Sequence, residues 1–203
     1  MSNERDILRV FLCGAHSTGK TTLLEDVVKA MPVGLHYEEE IARRLIRELD
    51  LSIEERDPYT KPDVFEEFQR MVFKGQCEME RNNEDSNRDY IADRSIDPVV
   101  YTSVYLGVDA KNRLLELPYV KECIERYKNS IIFAVYPHEE CIELDDIRLP
   151  PTLKELTVFT ETLIDILSEF NISYTPITVL DRKERRDIVV NEIRRRRPDI
   201  WNN

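Results

Sequence analysis

The segment FLCGAHSTGKTTLLEDVV, Phe11 to Val28, restricts the fold more than any other part of the chain. A short apolar run ends at Gly14, and a helical spacing of apolar residues begins at Thr21. Between them GAHSTGKT, Gly14 to Thr21, fits G-x-x-x-x-G-K-[ST] at every specified position. Glycines let backbone N–H groups turn inward around an anion with no Cβ in the way. The helix that follows adds the positive end of its dipole. Lys20 is placed to reach β- and γ-phosphates as a point charge, and the Thr21 hydroxyl to ligate Mg²⁺. Gly14, Ala15, His16, Ser17, Thr18, Gly19, Lys20, Thr21 and Thr22 therefore read as the cradle of a nucleoside triphosphate. His16 is taken as a loop-shaping backbone donor rather than a catalytic base.

The rest of the chain alternates strand and helix patterns. ILRVFLCG, GLHYEEE, DYIADRS, SIIFAVYP and ISYTPITVL read as five strands. TTLLEDVVKAM, IARRLIREL, VFEEFQRMVFKGQCEMERN, PVVYTSVYL, TLKELTVFTETLIDILSEF and RKERRDIVVNEIRRRR read as helices. NRLLELPYVKECIERYKN is a further helical stretch interrupted near Pro118. This alternation predicts an α/β fold, a parallel five-stranded sheet with helices on both faces. The polar, Pro-ended HEECIELDDIRLPP predicts a lid at about 138–151 on a single nucleotide-binding domain of residues 1–203.

Further candidates lie where strands end. Asp93 closes the apolar YIA run, the place for a second Mg²⁺-holding group, and Arg94 would then point into the cleft. Glu38, Glu39 and Glu40 follow the second strand, where a hydroxyl nucleophile would approach and need a carboxylate to accept its proton. Glu40 is favoured, because Arg43 lies at i+3 on the same helix face. Arg148 in DDIRLPP would fold over the phosphates and neutralise charge on the transferred group.

Composition excludes whole classes. No run approaches the roughly 18 to 20 apolar residues of a membrane span. The charged MSNERDILRV start lacks the apolar core of a signal peptide, and Cys13, Cys77, Cys123 and Cys141 show no metal-type spacing. Both predict a reducing, cytoplasmic or nuclear setting. A net charge of −11 disfavours a nucleic-acid surface. Arg194 to Arg197 are the exception, and read as a solvated helix end.

GAHSTGKTTL, EEEIARRL, the helix with Gln69 and Gln76, IADRSIDPVVY and DDIRLPP occur in that order. The set resembles the small P-loop kinases related to the nicotinamide-riboside kinase domain of NadR-type proteins, and fungal AAA-type kinase-like proteins with D-R-S-x-x-D-P-x-V-Y. The resemblance runs from about Ile7 to Arg194. It implies an ATP and Mg²⁺ site at Gly14, Gly19, Lys20, Thr21 and Asp93, and an acceptor pocket near Glu40, Arg43, Gln76 and Arg94. The reading is an ATP-dependent phosphotransferase on a small nucleoside- or nucleotide-like metabolite, with Lys20, Glu40, Asp93 and Arg148 as its catalytic set. The alternatives are an ATPase or nucleotide switch acting on a protein partner, or a polynucleotide 5′-kinase. A Ras-like GTPase lacks support, since no N-K-x-D stretch occurs. Length and the want of a second helical domain argue against a AAA+ ATPase.

Overall fold

The computed structural model describes residues 6–32, 34–141 and 152–201. In chain order the elements are β1 (Arg9–Cys13), α1 (Lys20–Ala30), β2 (His36–Glu38), α2 (Ile41–Leu49), α3 (Pro62–Asp85), β3 (Tyr90–Asp93) and α4 (Asp97–Leu106). There follow α5 (Val108–Leu115), α6 (Pro118–Lys128), β4 (Ile131–Val135), α7 (Leu153–Glu169), β5 (Tyr174–Ile177) and α8 (Arg182–Arg196). The strands form one parallel sheet in the order β2-β3-β1-β4-β5.

Both sheet faces are covered, which explains why β1 and β4 are apolar throughout rather than alternating. Successive side chains point to opposite faces. Phe11 and Cys13 of β1, with Ile132 and Ala134 of β4, enter a core closed by α3, α4, α6 and α7. Val10 and Leu12, with Ile131, Phe133 and Val135, enter a second core closed by α1 and α8. Among the described residues no helix is long and apolar enough to cross a membrane, and all four cysteines are free thiols.

Two details place the site. Register sets Leu12 of β1 level with Asp93 of β3, and Glu38 of β2 level with Ala92. The strands therefore deliver Asp93, Glu40 and the Gly14 loop to one edge of the sheet. Gly75, midway along α3, gives α2 room: a Cβ there would stand 2.8 Å from Ile41 Cγ2. The weak helix former is kept where two helices approach closely.

Candidate active site

The loop between β1 and α1 has the backbone of an anion cradle. Gly14, Ser17 and Gly19 take positive φ angles of 143°, 55° and 78°. α1 begins at Lys20 with no side chain capping it, so its first N–H groups have no side-chain acceptor. By contrast, Asp181 caps α8 and a Thr152–Glu155 capping box closes α7. Lys20 is 5% exposed; its Nζ donates to the Ala15 carbonyl at 2.5 Å and to Thr18 Oγ1 at 3.3 Å. Burial, with Arg94 next, brings its pKa down to about 8. Thr18 Oγ1 in turn donates to the Ala15 carbonyl, while Thr22 stays on the exposed side of α1.

Asp93 is buried at the end of β3. Its Oδ2 accepts from Thr21 Oγ1 at 3.0 Å, and its Oδ1 is buried with no hydrogen-bond partner. Burial raises its pKa, against the pull of Lys20. A hydroxyl paired with an under-satisfied carboxylate suits Mg²⁺, which takes few protein ligands and fills its shell with water and phosphate oxygens. Among the described residues no cluster of three or more His, Cys, Asp or Glu is arranged to hold a metal without such help.

Of the three neighbouring carboxylates, only Glu40 turns inward. Glu38 Oε1 accepts from Asn83 at 2.6 Å and lies 3.2 Å from His36. Glu39 pairs with Arg47 at the surface. Glu40, 4% exposed, accepts from Arg94 Nε at 2.7 Å and from Arg43 Nε at 3.0 Å. Arg94 lies at this end of the cleft as a paired cation. Its guanidinium is buried against Glu40, the Gly14 carbonyl at 2.9 Å and Asp97 Oδ1 at 3.1 Å, with the Tyr101 ring 5.4 Å away. Its φ of 88° is a non-glycine outlier of the kind that costs roughly 1–3 kcal/mol and is held by its surroundings. Asp97, fully buried, accepts from both Gly14 N and Ser95 N, so one carboxylate ties the loop to the turn between β3 and α4.

A cavity of about 440 Å³ opens from this network. Glu40, Arg94, Asp97 and His16 form one end, and Gln69 of α3 lies along it. The other walls are rings that sequence reasoning missed. Tyr101 and Tyr105 are stacked with an interplanar angle of 8°, and Tyr59 and Phe65 meet Tyr105 edge-on. The i, i+4 spacing of Tyr101 and Tyr105 was the available signal. Gln76 does not line this cavity, correcting its expected place in the acceptor pocket. It is buried deeper on α3 with both amide atoms unpartnered. Arg43 is outside the lining and reaches the site through Glu40. His16 faces the cavity, its Nδ1 3.3 Å from Tyr101 Oη. Arg148 and most of the expected lid lie outside the described residues. The basic end of α8 is not a free patch: Arg195 and Arg196 pair with Glu192, Arg197 with Asp199, and Arg194 covers Trp201.

Known proteins share this framework. The crystal structure of NadR protein in complex with NR matches with a TM-score of 0.69 at 21% identity, over 95% of this chain and 52% of that one. NadR protein in complex with NAD and AMP-PNP matches with a TM-score of 0.68 at 20% identity, over 93% and 49%. Deoxyadenosine kinase from M. mycoides, with products dCMP and dCDP bound, matches with a TM-score of 0.57 at 11% identity, over 93% and 100%. The chain thus spans about half the length of the NadR chains. No curated protein sequence matches it. A family model described as AAA domain matches residues 9–185. That match runs from β1 into α8. The chain belongs to the AAA domain family, and its fold is that of the NadR-type P-loop proteins.

Proposed function

We propose that the chain is an ATP- and Mg²⁺-dependent phosphotransferase acting on a nucleoside-like acceptor. The observation that carries this is Glu40, a buried carboxylate at the phosphate-loop end of an aromatic-lined cavity. A switch or simple ATPase has no use for a ring-lined chamber beside its phosphate loop, whereas a small acceptor does. The flat faces of Tyr101 and Tyr105 suit a planar ring. Beyond the Glu40–Arg94–Asp97 network the lining carries Glu54, Asp57 and Glu155 against Arg56 and His16. That balance favours an uncharged or cationic acceptor over one already phosphorylated. The matched complexes with NR and with the products dCMP and dCDP support a nucleoside- or nucleotide-like ligand.

In this reading the loop N–H groups and Lys20 bind the triphosphate, and Thr21 and Asp93 hold the metal. When bound, Mg²⁺ neutralises charge on the phosphate oxygens. Glu40, fixed by Arg94 and Arg43, orients the acceptor hydroxyl and takes its proton as the oxygen attacks the γ-phosphorus and ADP leaves. The test is ADP release across nucleosides, nucleotides and vitamins, with no-acceptor and EDTA controls. Nucleosides should stimulate turnover more than their monophosphates, and EDTA should abolish it. Glu40→Gln should cut acceptor-dependent turnover by roughly 10² to 10⁴ while ATP affinity barely moves. No stimulation by any acceptor overturns the proposal.

A further inference from the structure

Arg185, on the first turn of α8, is 4% exposed and has no acidic partner among the described residues. Its Nε donates to the Val179 carbonyl at 2.6 Å and its Nη1 to the Thr18 carbonyl at 2.8 Å. Its Nη2 is buried with no hydrogen-bond partner. The guanidinium also abuts the loop at the next residue: a Cβ on Gly19 would stand 3.2 Å from Nη1.

A buried cation held only by neutral carbonyls is an expensive arrangement. Nearly every other described arginine of this chain that is drawn into the interior has a carboxylate: Arg126 has Glu80 and Glu84, and Arg94 has Glu40 and Asp97. Arg185 differs, and it differs beside the loop built to cradle a polyanion. Resting on the P-loop reading above, we propose that Arg185 is a second cation of the triphosphate site, and that its counter-charge is the bound polyphosphate itself. Two functions follow from one side chain. By pulling the Thr18 carbonyl toward α8, it fixes the peptide from which the Gly19 N–H projects, so the loop is set before the nucleotide arrives. Its charge adds through-space attraction when the polyphosphate enters, without a direct contact: the Thr18 carbonyl that it holds points away from the Gly19 N–H, and its Nη2 is buried. The β5–α8 connection, through Val179, is thereby made part of the nucleotide site rather than a passive turn.

The experiment compares wild type with Arg185→Met, which keeps the aliphatic bulk, and Arg185→Gln, which keeps amide donors for the carbonyls but no charge. Arg185→Lys restores charge without the fork. Affinities for ATP and for inorganic tripolyphosphate are measured by calorimetry, and melting temperature is recorded with and without ATP. Met and Gln should weaken both ligands by about 10- to 100-fold, the range of a unit charge removed several Å from the polyphosphate in a partly buried site. Lys should recover part of that loss. Without ligand the Met variant should melt no lower than wild type, because an unpaired buried charge has been removed, while the ATP-induced rise in Tm shrinks. If Met does not fold, the Gln and Lys pair gives the same reading. Wild-type affinity in Met or Gln, or a loss for ATP that spares tripolyphosphate, overturns the proposal. Failure of wild type itself to bind ATP would instead overturn the P-loop reading, so the two failures are distinct.

Discussion

Lys20 carries two demands that conflict. To meet phosphates it must be an ammonium, yet it is buried, with Arg94 as a near cation. Burial disfavours the charged form, and its pKa of about 8 lies within reach of ordinary buffers. Bound triphosphate favours the protonated form, so nucleotide binding and protonation are linked. Below pH 8 the ammonium is already present and ATP affinity should be flat with respect to this group. Above pH 8 each unit of pH should weaken ATP by up to about tenfold, because a proton must first be regained. Calorimetric titration from pH 7 to 9.5 measures this, with Lys20→Ala as the reference that binds weakly at every pH. A constant affinity across that range, with Lys20→Ala still weak, would mean that Lys20 keeps its proton beyond about pH 9.5 and that burial does not lower its pKa; wild-type affinity in Lys20→Ala would mean that Lys20 does not meet the phosphates. Arg185 shows the limit of reading residues singly. In RKERRDIVV it is one of several charges in an apparently solvated run, and only tertiary packing places it against the Thr18 carbonyl.

Gly14 is where elements meet most tightly. A Cβ on it would stand 2.6 Å from the Val135 carbonyl oxygen, and its φ is 143°. The obstacle is the backbone of β4, which is paired to β1 and has no freedom to retreat. Gly14→Ala should therefore cost roughly 2–4 kcal/mol in urea unfolding, the sum of backbone strain and overpacking. Gly34→Ala, where nothing lies within 4 Å, should be nearly neutral. Equal stability of the two variants would show that the close approach is not a constraint. At this scale the sequence was informative, because buried strands and amphipathic helices carry their own periodicity. IARRLIREL coincides with α2, and the break near Pro118 falls where α6 starts. Gly14 to Thr21 was legible for the same local reason. The acceptor cavity was not. Its walls come from the 53–59 segment, α3 and α4, which are brought together only by packing, so beyond the i, i+4 spacing of Tyr101 and Tyr105 nothing in the sequence joins these two to Tyr59 and Phe65. Arg94 was expected in the cleft because strand ends deliver side chains there. It lines the cavity, and its positive φ and the carboxylate of Asp97, neither legible in the sequence, make it a buried strut there.

The stability of the whole molecule should depend on pH through a group remote from the site. Glu80, on α3, is fully buried behind the sheet; its Oε1 accepts from Tyr127 Oη at 2.8 Å and its Oε2 from Arg126 Nη1 at 2.7 Å. Burial outweighs Arg126 and raises its pKa from 4.5 to about 7. Between those values the folded chain keeps a proton that the unfolded chain gives up. The contribution is therefore fully present below about pH 4.5 and is lost as pH rises through about 7. Glu66, Glu122 and Glu192 act in the opposite sense, each brought down to about 2 chiefly by hydrogen bonds from arginine. Their contributions are lost as pH falls below about 4.5, so the two effects occupy different ranges and separate cleanly. Urea unfolding from pH 5 to 8 should show wild type losing stability toward pH 8 relative to Glu80→Gln, by an amount on the order of 2–3 kcal/mol at most. The variant keeps an acceptor for Tyr127 and Arg126 but has no proton to exchange, so the slope assigned to Glu80 should vanish in it. Parallel profiles for the two proteins would mean that Glu80 stays ionised with Arg126 throughout, and that the ion pair overcomes the burial.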